Sequence, residues 1–148
     1  MANTTYVSFK SNGSLFTFGS LKKSLAEIKT AKEKNGVTVF AITEDEYNDL
    51  TDGCDASESG GIVTIGQTIG GAAQYKYHAK GKQKKIAMHL HQRYEKDLGN
   101  SDVDISTYRN NLRSYYISDV KTPINAAANK AEVDAAVAAI DWSSAVIP

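Results

Sequence analysis

From residue 6 to residue 18, apolar and polar side chains alternate at a period of two on either side of Asn12-Gly13. Successive side chains of a strand point to opposite faces, so the alternation predicts a β-hairpin. Asn-Gly suits the two positive-φ positions of a type I′ turn, and a two-residue loop there sets Phe9 opposite Phe16 and Val7 opposite Phe18. Val7, Phe9, Phe16 and Phe18 then share the face expected to be core, with Ser8 and Thr17 on the other. The period changes after Ser20, where Leu21, Leu25 and Ile28 recur at i, i+4 and i+7; this predicts a helix capped by Ser20 and ended at Asn35-Gly36. Residues 37–42 (VTVFAI) form a short apolar run of the kind a buried strand shows, and are the expected central strand.

Thr43 followed by Glu46 is a capping box that opens a short helix to Leu50, and Asp52-Gly53 turns the chain. The Ser- and Gly-rich stretch to Gly61 predicts a loop, and residues 62–65 (IVTI) a returning strand before Gly66, Gly70 and Gly71 interrupt regularity. Ile86, Leu90 and Leu98, widened by Ala87 and Tyr94, predict a helix over about residues 82–98 that Gly99-Asn100 stops. Ser101 caps a second, with Ile105, Tyr108, Leu112 and Tyr115 on one stripe. Thr122-Pro123 begins a third segment, and Asn129 with Glu132 opens the expected main C-terminal helix through Val133, Val137 and Ile140. Residues 143–148 have no periodicity and are expected to be extended. The predicted fold is α+β: an N-terminal hairpin, helix and strand module over residues 1–66, a Gly-rich and basic joint over 67–81, and a mainly helical C-terminal part over 82–148.

Charge changes this picture more than composition does. The 148 residues carry 17 Lys and Arg against 17 Asp and Glu. This neutrality conceals a separation: residues 43–58 hold seven carboxylates and no Lys or Arg, and residues 76–85 hold five lysines and no carboxylate. The acidic pole is represented by Glu44, Asp45, Asp49 and Asp52, the basic one by Lys76, Lys80, Lys82, Lys84 and Lys85. Complementary patches steer association, so both are expected interfaces. Trp142, Val146 and Ile147 are expected to join them, because apolar groups in a tail without a helix dock either on their own module or on a neighbour, the neighbour being the favoured reading.

Candidate chemistry is thin. His89 and His91, two apart on a helix, point to different faces, and neither Cys54 nor His78 completes a zinc set. The carboxylates of residues 44–58 do not follow an EF-hand, since Leu50 occupies a ligand position, although a loose cation contact in the 52–58 loop stays open. Gly81-Lys82 is followed by Gln83 rather than the Ser or Thr of a P-loop. No serine has the glycines of a nucleophile elbow. No enzyme activity, metal or cofactor is expected. The lysines with Tyr75 and Tyr77 are the best nucleic-acid candidate, a weaker alternative because an acidic segment of equal strength repels a polyanion. A lone cysteine permits no internal disulfide; no run approaches the roughly 20 apolar residues of a membrane span, and no charged n-region and apolar h-region open the chain, so neither membrane nor secretion is expected.

Two stretches carry a resemblance. Ile42-Thr43-Glu44-Asp45-Glu46-Tyr47, running to Leu50 and Gly53 behind a hairpin, is similar to the I-x-E-E-E-Y-x-x-L pattern near the N-termini of short tail-associated proteins of tailed bacteriophages, including the tail-fibre-assembly type. Tyr108-Arg109, Leu112-Arg113, Ile140-Asp141-Trp142 and Pro148 resemble the Y-R-x-x-L-R and W-P-x-x-P ending of such proteins, with Ser143 standing where that ending has proline. The resemblance implies a phage context and transfers no catalytic residue. On that reading the chain is expected to be a non-enzymatic structural virion protein, of head decoration or tail, that binds other virion proteins and repeated copies of itself. A cytoplasmic chaperone of tail or tail-fibre assembly is the alternative. Localisation would be the virion, with the host cytoplasm during assembly.

Overall fold

The computed structural model describes residues 2–148, and the fold is α+β, with strands first and a mainly helical part after them. The chain divides into two compact units, Met1–Ile69 and Gly70–Pro148. The expected joint over 67–81 is thereby corrected: residues 67–69 finish a strand of the first unit, and Gln74 already begins a helix of the second.

In the first unit β1 (Thr4–Phe9) is the central strand of a three-stranded sheet, between β2 (Leu15–Leu21) and β3 (Thr38–Ala41), both antiparallel to it. Residues 37–42 therefore supply an edge strand instead of the central one. The hairpin register is as expected where Val7 faces Phe18 and Ser8 faces Thr17, and slips where Phe9 faces Leu15. The cause is the turn. Among the described residues only glycines have positive φ, so Asn12 does not adopt the type I′ conformation. Gly13 donates to the Lys10 carbonyl and Lys10 to the Ser14 carbonyl, which makes a three-residue loop closed by Gly13 at φ 83°. The odd residue is absorbed at Phe16, which leaves the core and is 51% exposed.

Both faces of this sheet are covered. Val7 and Phe9 pack with Ile42 and Leu50 under α2 (Glu44–Asp52) and the hairpin of β4 (Cys54–Ser59) and β5 (Ile62–Ile69). Tyr6 and Val39 pack on the opposite face with Ile28 of α1 (Leu25–Lys32). Ser8 sits on that second face, fully buried and satisfied by Thr17, whose hydroxyl lies 2.7 Å away. The predicted cap of α1 moves: β2 runs through Leu21, and Ser24 with Glu27 forms the capping box. The Thr43 and Glu46 box of α2 is as expected, and Gly53 ends that helix at φ 102°. The expected loop up to Gly61 is instead β4, because Gly60 and Gly61 (φ 58° and 83°) supply the two-residue turn that pairs Ser59 with Ile62.

In the second unit α3 (Gln74–Lys96) is the longest helix, beginning eight residues before the expected start. Its N-cap is Ala73, with no side chain to mark it, and Gly81 lies inside it, so the usual signals of start and continuity are both missing. Leu98, expected on its buried stripe, lies beyond the helix and is 98% exposed. The chain returns through α4 (Asp102–Tyr115), capped by Ser101, and runs without a break through a π turn (Tyr116–Lys121) into α5 (Thr122–Ala126). Pro123 thus sits in a continuing helix rather than at a fresh start. Asn129 caps α6 (Lys130–Ala138) as expected, although α6 has only nine residues. Tyr108 and Leu112 form a core with Ala145, flanked by Leu90, Tyr94, Tyr115 and Trp142. The tail therefore docks on its own unit: the Trp142 indole donates to Gln83 Oε1 at 2.9 Å, and Asn111 donates to the Val146 carbonyl at 2.9 Å. Trp142 is withdrawn from the expected interface, while Val146 and Ile147 remain exposed.

Candidate functional site

Lys76, Lys80 and Lys84 follow one another at four-residue steps along α3, so one face of the helix carries all three. Lys76 is the exception to the expected basic surface. It is 1% exposed and donates to the Asn125 carbonyl at 2.9 Å, its stem filling the core beneath α5. Lys80, one turn on, donates to the Asn125 side-chain oxygen at 2.7 Å. Lys84 places its ammonium 5.5 Å from the centre of the Tyr116 ring, close enough for a cation–π contact. Lys121, from the last position of the π turn, faces the same space.

Lys80, Lys84, Tyr116 and Lys121 line a groove of about 900 Å³ together with Lys82, Lys85, Tyr77 and His78, while Lys76 lies beneath it. None of the residues lining it is Asp or Glu. The consequence is visible in Lys80, whose pKa is held below the ordinary lysine value first by burial and then by the charges of Lys121, Lys84 and Lys76. A second hollow of about 270 Å³ shares Lys84 and Tyr116 and continues to Arg109 and Arg113 over a floor of Ala87, Met88 and Leu112. It too is lined by no carboxylate. Chemically, the two neighbouring hollows are both basic, and only the smaller has an apolar floor; such a surface suits a ligand that brings several negative charges.

The acidic pole lies in the first unit. Glu44 and Asp45 are exposed in the first turn of α2, where carboxylates also complement the helix dipole. Asp49 and Asp52 are half-buried, and Glu46 is occupied by the cap, accepting from the Thr43 amide at 3.0 Å. Asp55 and Glu58 project from β4, so the stretch expected to offer a cation loop is a strand. Among the described residues no three His, Cys, Asp or Glu side chains are grouped as a metal site. His89 is exposed; His91 accepts from Arg109 Nε at 3.4 Å and lies 3.9 Å from Glu95. Gly66 stands in β5 with the Asp55 carboxylate against it, and Gly81 is helical, so neither belongs to a phosphate-cradling loop. Cys54 is buried.

Sequence reasoning placed Lys80, Lys82, Lys84 and Lys85 at this surface and missed Tyr116, Lys121, Arg109 and Arg113, which reach it from the returning helix. The i, i+4 spacing of Arg109 and Arg113 was a usable signal, since it sets both on one helix face. Lys121 had none, because its position depends on the π turn. No protein-family model matches this chain, and neither a curated protein nor a solved structure does.

Proposed function

We propose that this chain is a non-enzymatic structural protein of a tailed-phage particle, in head decoration or tail, that works by binding other virion subunits and repeated copies of itself. One observation carries the assembly part of this reading. The first unit holds six Lys and Arg against nine Asp and Glu, the second eleven against eight, so the charge imbalance runs in opposite senses in two separately cored units. An assembly subunit uses such a partition, because unlike patches speed encounter, fix register and reject wrong partners. The phage context rests on the two stretches of sequence resemblance. Mass spectrometry of purified particles tests it: a structural protein is retained at fixed copy number, whereas an assembly chaperone, the second reading, is made in the infected cell and left out of the particle.

A further inference from the structure

We propose that the basic groove bordered by Lys80, Lys84 and Lys121 receives the first turns of α2 from a second copy of this chain. The inference rests on the assembly reading and names the contact it requires. Five lysines line the groove with no lining carboxylate, and no ion pair joins Lys80, Lys84 or Lys121 to an acid among the described residues. Such a cluster repels itself, and a partner bringing negative charge relieves it. Burial first, and then the charges of Lys121, Lys84 and Lys76, hold the Lys80 pKa below its ordinary value.

The occupant must present carboxylates at matching intervals on a stiff support. Glu44 and Asp45 are exposed, and Asp49 follows Asp45 by one helical turn, as Lys84 follows Lys80. Four residues of helix advance about 6 Å, so carboxylates and ammonium groups repeat at the same pitch. α2 is held in place by its capping box, by Gly53 at its end and by buried Leu50, so its acidic turn is presented without an ordering cost on binding. Each copy offers both halves of the contact, so two copies about a two-fold axis close it reciprocally, and other relations propagate it into a ring or a filament.

The experiment uses two full-length variants. One carries Lys82→Glu, Lys84→Glu and Lys121→Glu, all at exposed positions, leaving Lys76 and Lys80 with Asn125. The other carries Glu44→Lys and Asp45→Lys, with Glu44→Gln and Asp45→Asn as the milder form should reversal at the helix start impair folding. Circular dichroism and thermal unfolding check each fold. Analytical ultracentrifugation at low salt should show concentration-dependent association of the original chain, weakened at least tenfold by salt or by either variant. The mixture of the two variants is decisive. One retains the original acidic turn and the other the original groove, and their reversed surfaces are complementary as well, so the mixture should associate at concentrations where neither variant does alone. A monomeric original chain, or a mixture that does not pair, overturns the proposal. Inorganic polyphosphate binding the groove while the variants fail to pair would assign the groove to phosphate instead. Absence from particles would remove the virion reading and leave the pairing result intact.

Discussion

The two units close their cores by different means. The first covers both faces of a sheet with Val7, Phe9, Ile28 and Val39, all at most 1% exposed, and hides the short hydroxyl of Ser8. The second packs helices around Val120, Ile124 and Val133 but also buries Lys76 and Gln83, each held by a hydrogen bond. A core built from apolar alternation is robust and local. A core that seals a lysine beneath a basic groove couples its own stability to the surface above it, because Asn125 holds Lys76 and Lys80 together.

The sharpest way to break this comparison lies in the first unit. Phe9→Ala should cost about 3–5 kcal/mol in urea unfolding, the range for a fully buried ring. Phe16→Ala should cost less than about 0.5 kcal/mol, as at other exposed positions. Equal losses would show that the slip at Phe16 is not the register in solution. In the second unit Lys76→Ala should cost about 2–5 kcal/mol, since it removes a buried stem as long as methionine. Lys76→Met keeps that volume and should cost about 1–3 kcal/mol through the Asn125 carbonyl left without its donor. A gain from Lys76→Met would mean that the second unit tolerates an apolar core as well as the first does.

How much of this was legible in the sequence follows the same division. Elements whose signals are carried by neighbouring residues were readable: the Thr43 and Glu46 box, the Ser101 and Asn129 caps, and the Tyr108 and Leu112 stripe. Asn12-Gly13 named the right turn and the wrong loop length, because the G1-type closure at Gly13 competes with type I′, and the contact that holds it, the Glu58 amide donating to the Gly13 carbonyl, comes from a distant strand. β4 was missed since Cys-Asp-Ala-Ser-Glu-Ser alternates small and polar residues, and Gly60-Gly61 sets its pairing from outside. Of the candidate site, the lysines of α3 were readable and their sorting into buried Lys76, half-buried Lys80 and three exposed groups was not. Burial of Lys76 depends on Asn125, 49 residues away.

Smaller effects test the local signals. Ser24→Ala should cost about 1 kcal/mol of stability and Ser20→Ala less than about 0.5 kcal/mol, which a pair of melting curves can separate. The least effect is in pH dependence. With the pKa of Lys80 below its ordinary 10.5, the unfolded chain keeps that proton to higher pH than the folded one, so this group opposes folding at neutral pH. The opposition fades as pH rises from the lowered value toward 10.5. Site-resolved NMR of the lysine side chain should show the early titration, and an acidic partner in the groove should move it upward. Titration at or above the ordinary value would show that the groove's cations do not act on one another.

The π turn gives the returning helix a mechanical property of its own. Tyr108, Leu112, Tyr116, Val120 and Ile124 succeed one another every four residues, and in an α-helix such a row drifts about 40° around the axis at each step. A wider turn takes up that drift, so it acts as a phase adjuster between two rods of otherwise ordinary pitch. Point substitutions leave the phase alone. Loss of one residue, such as Ser118, would let the segment relax to α geometry with the later phase kept, whereas one residue added there would turn everything after it by about 100°, carrying Lys121 off the groove and Ile124 out of the core together. Over these few positions the spacing of the chain matters more than the identity of its side chains.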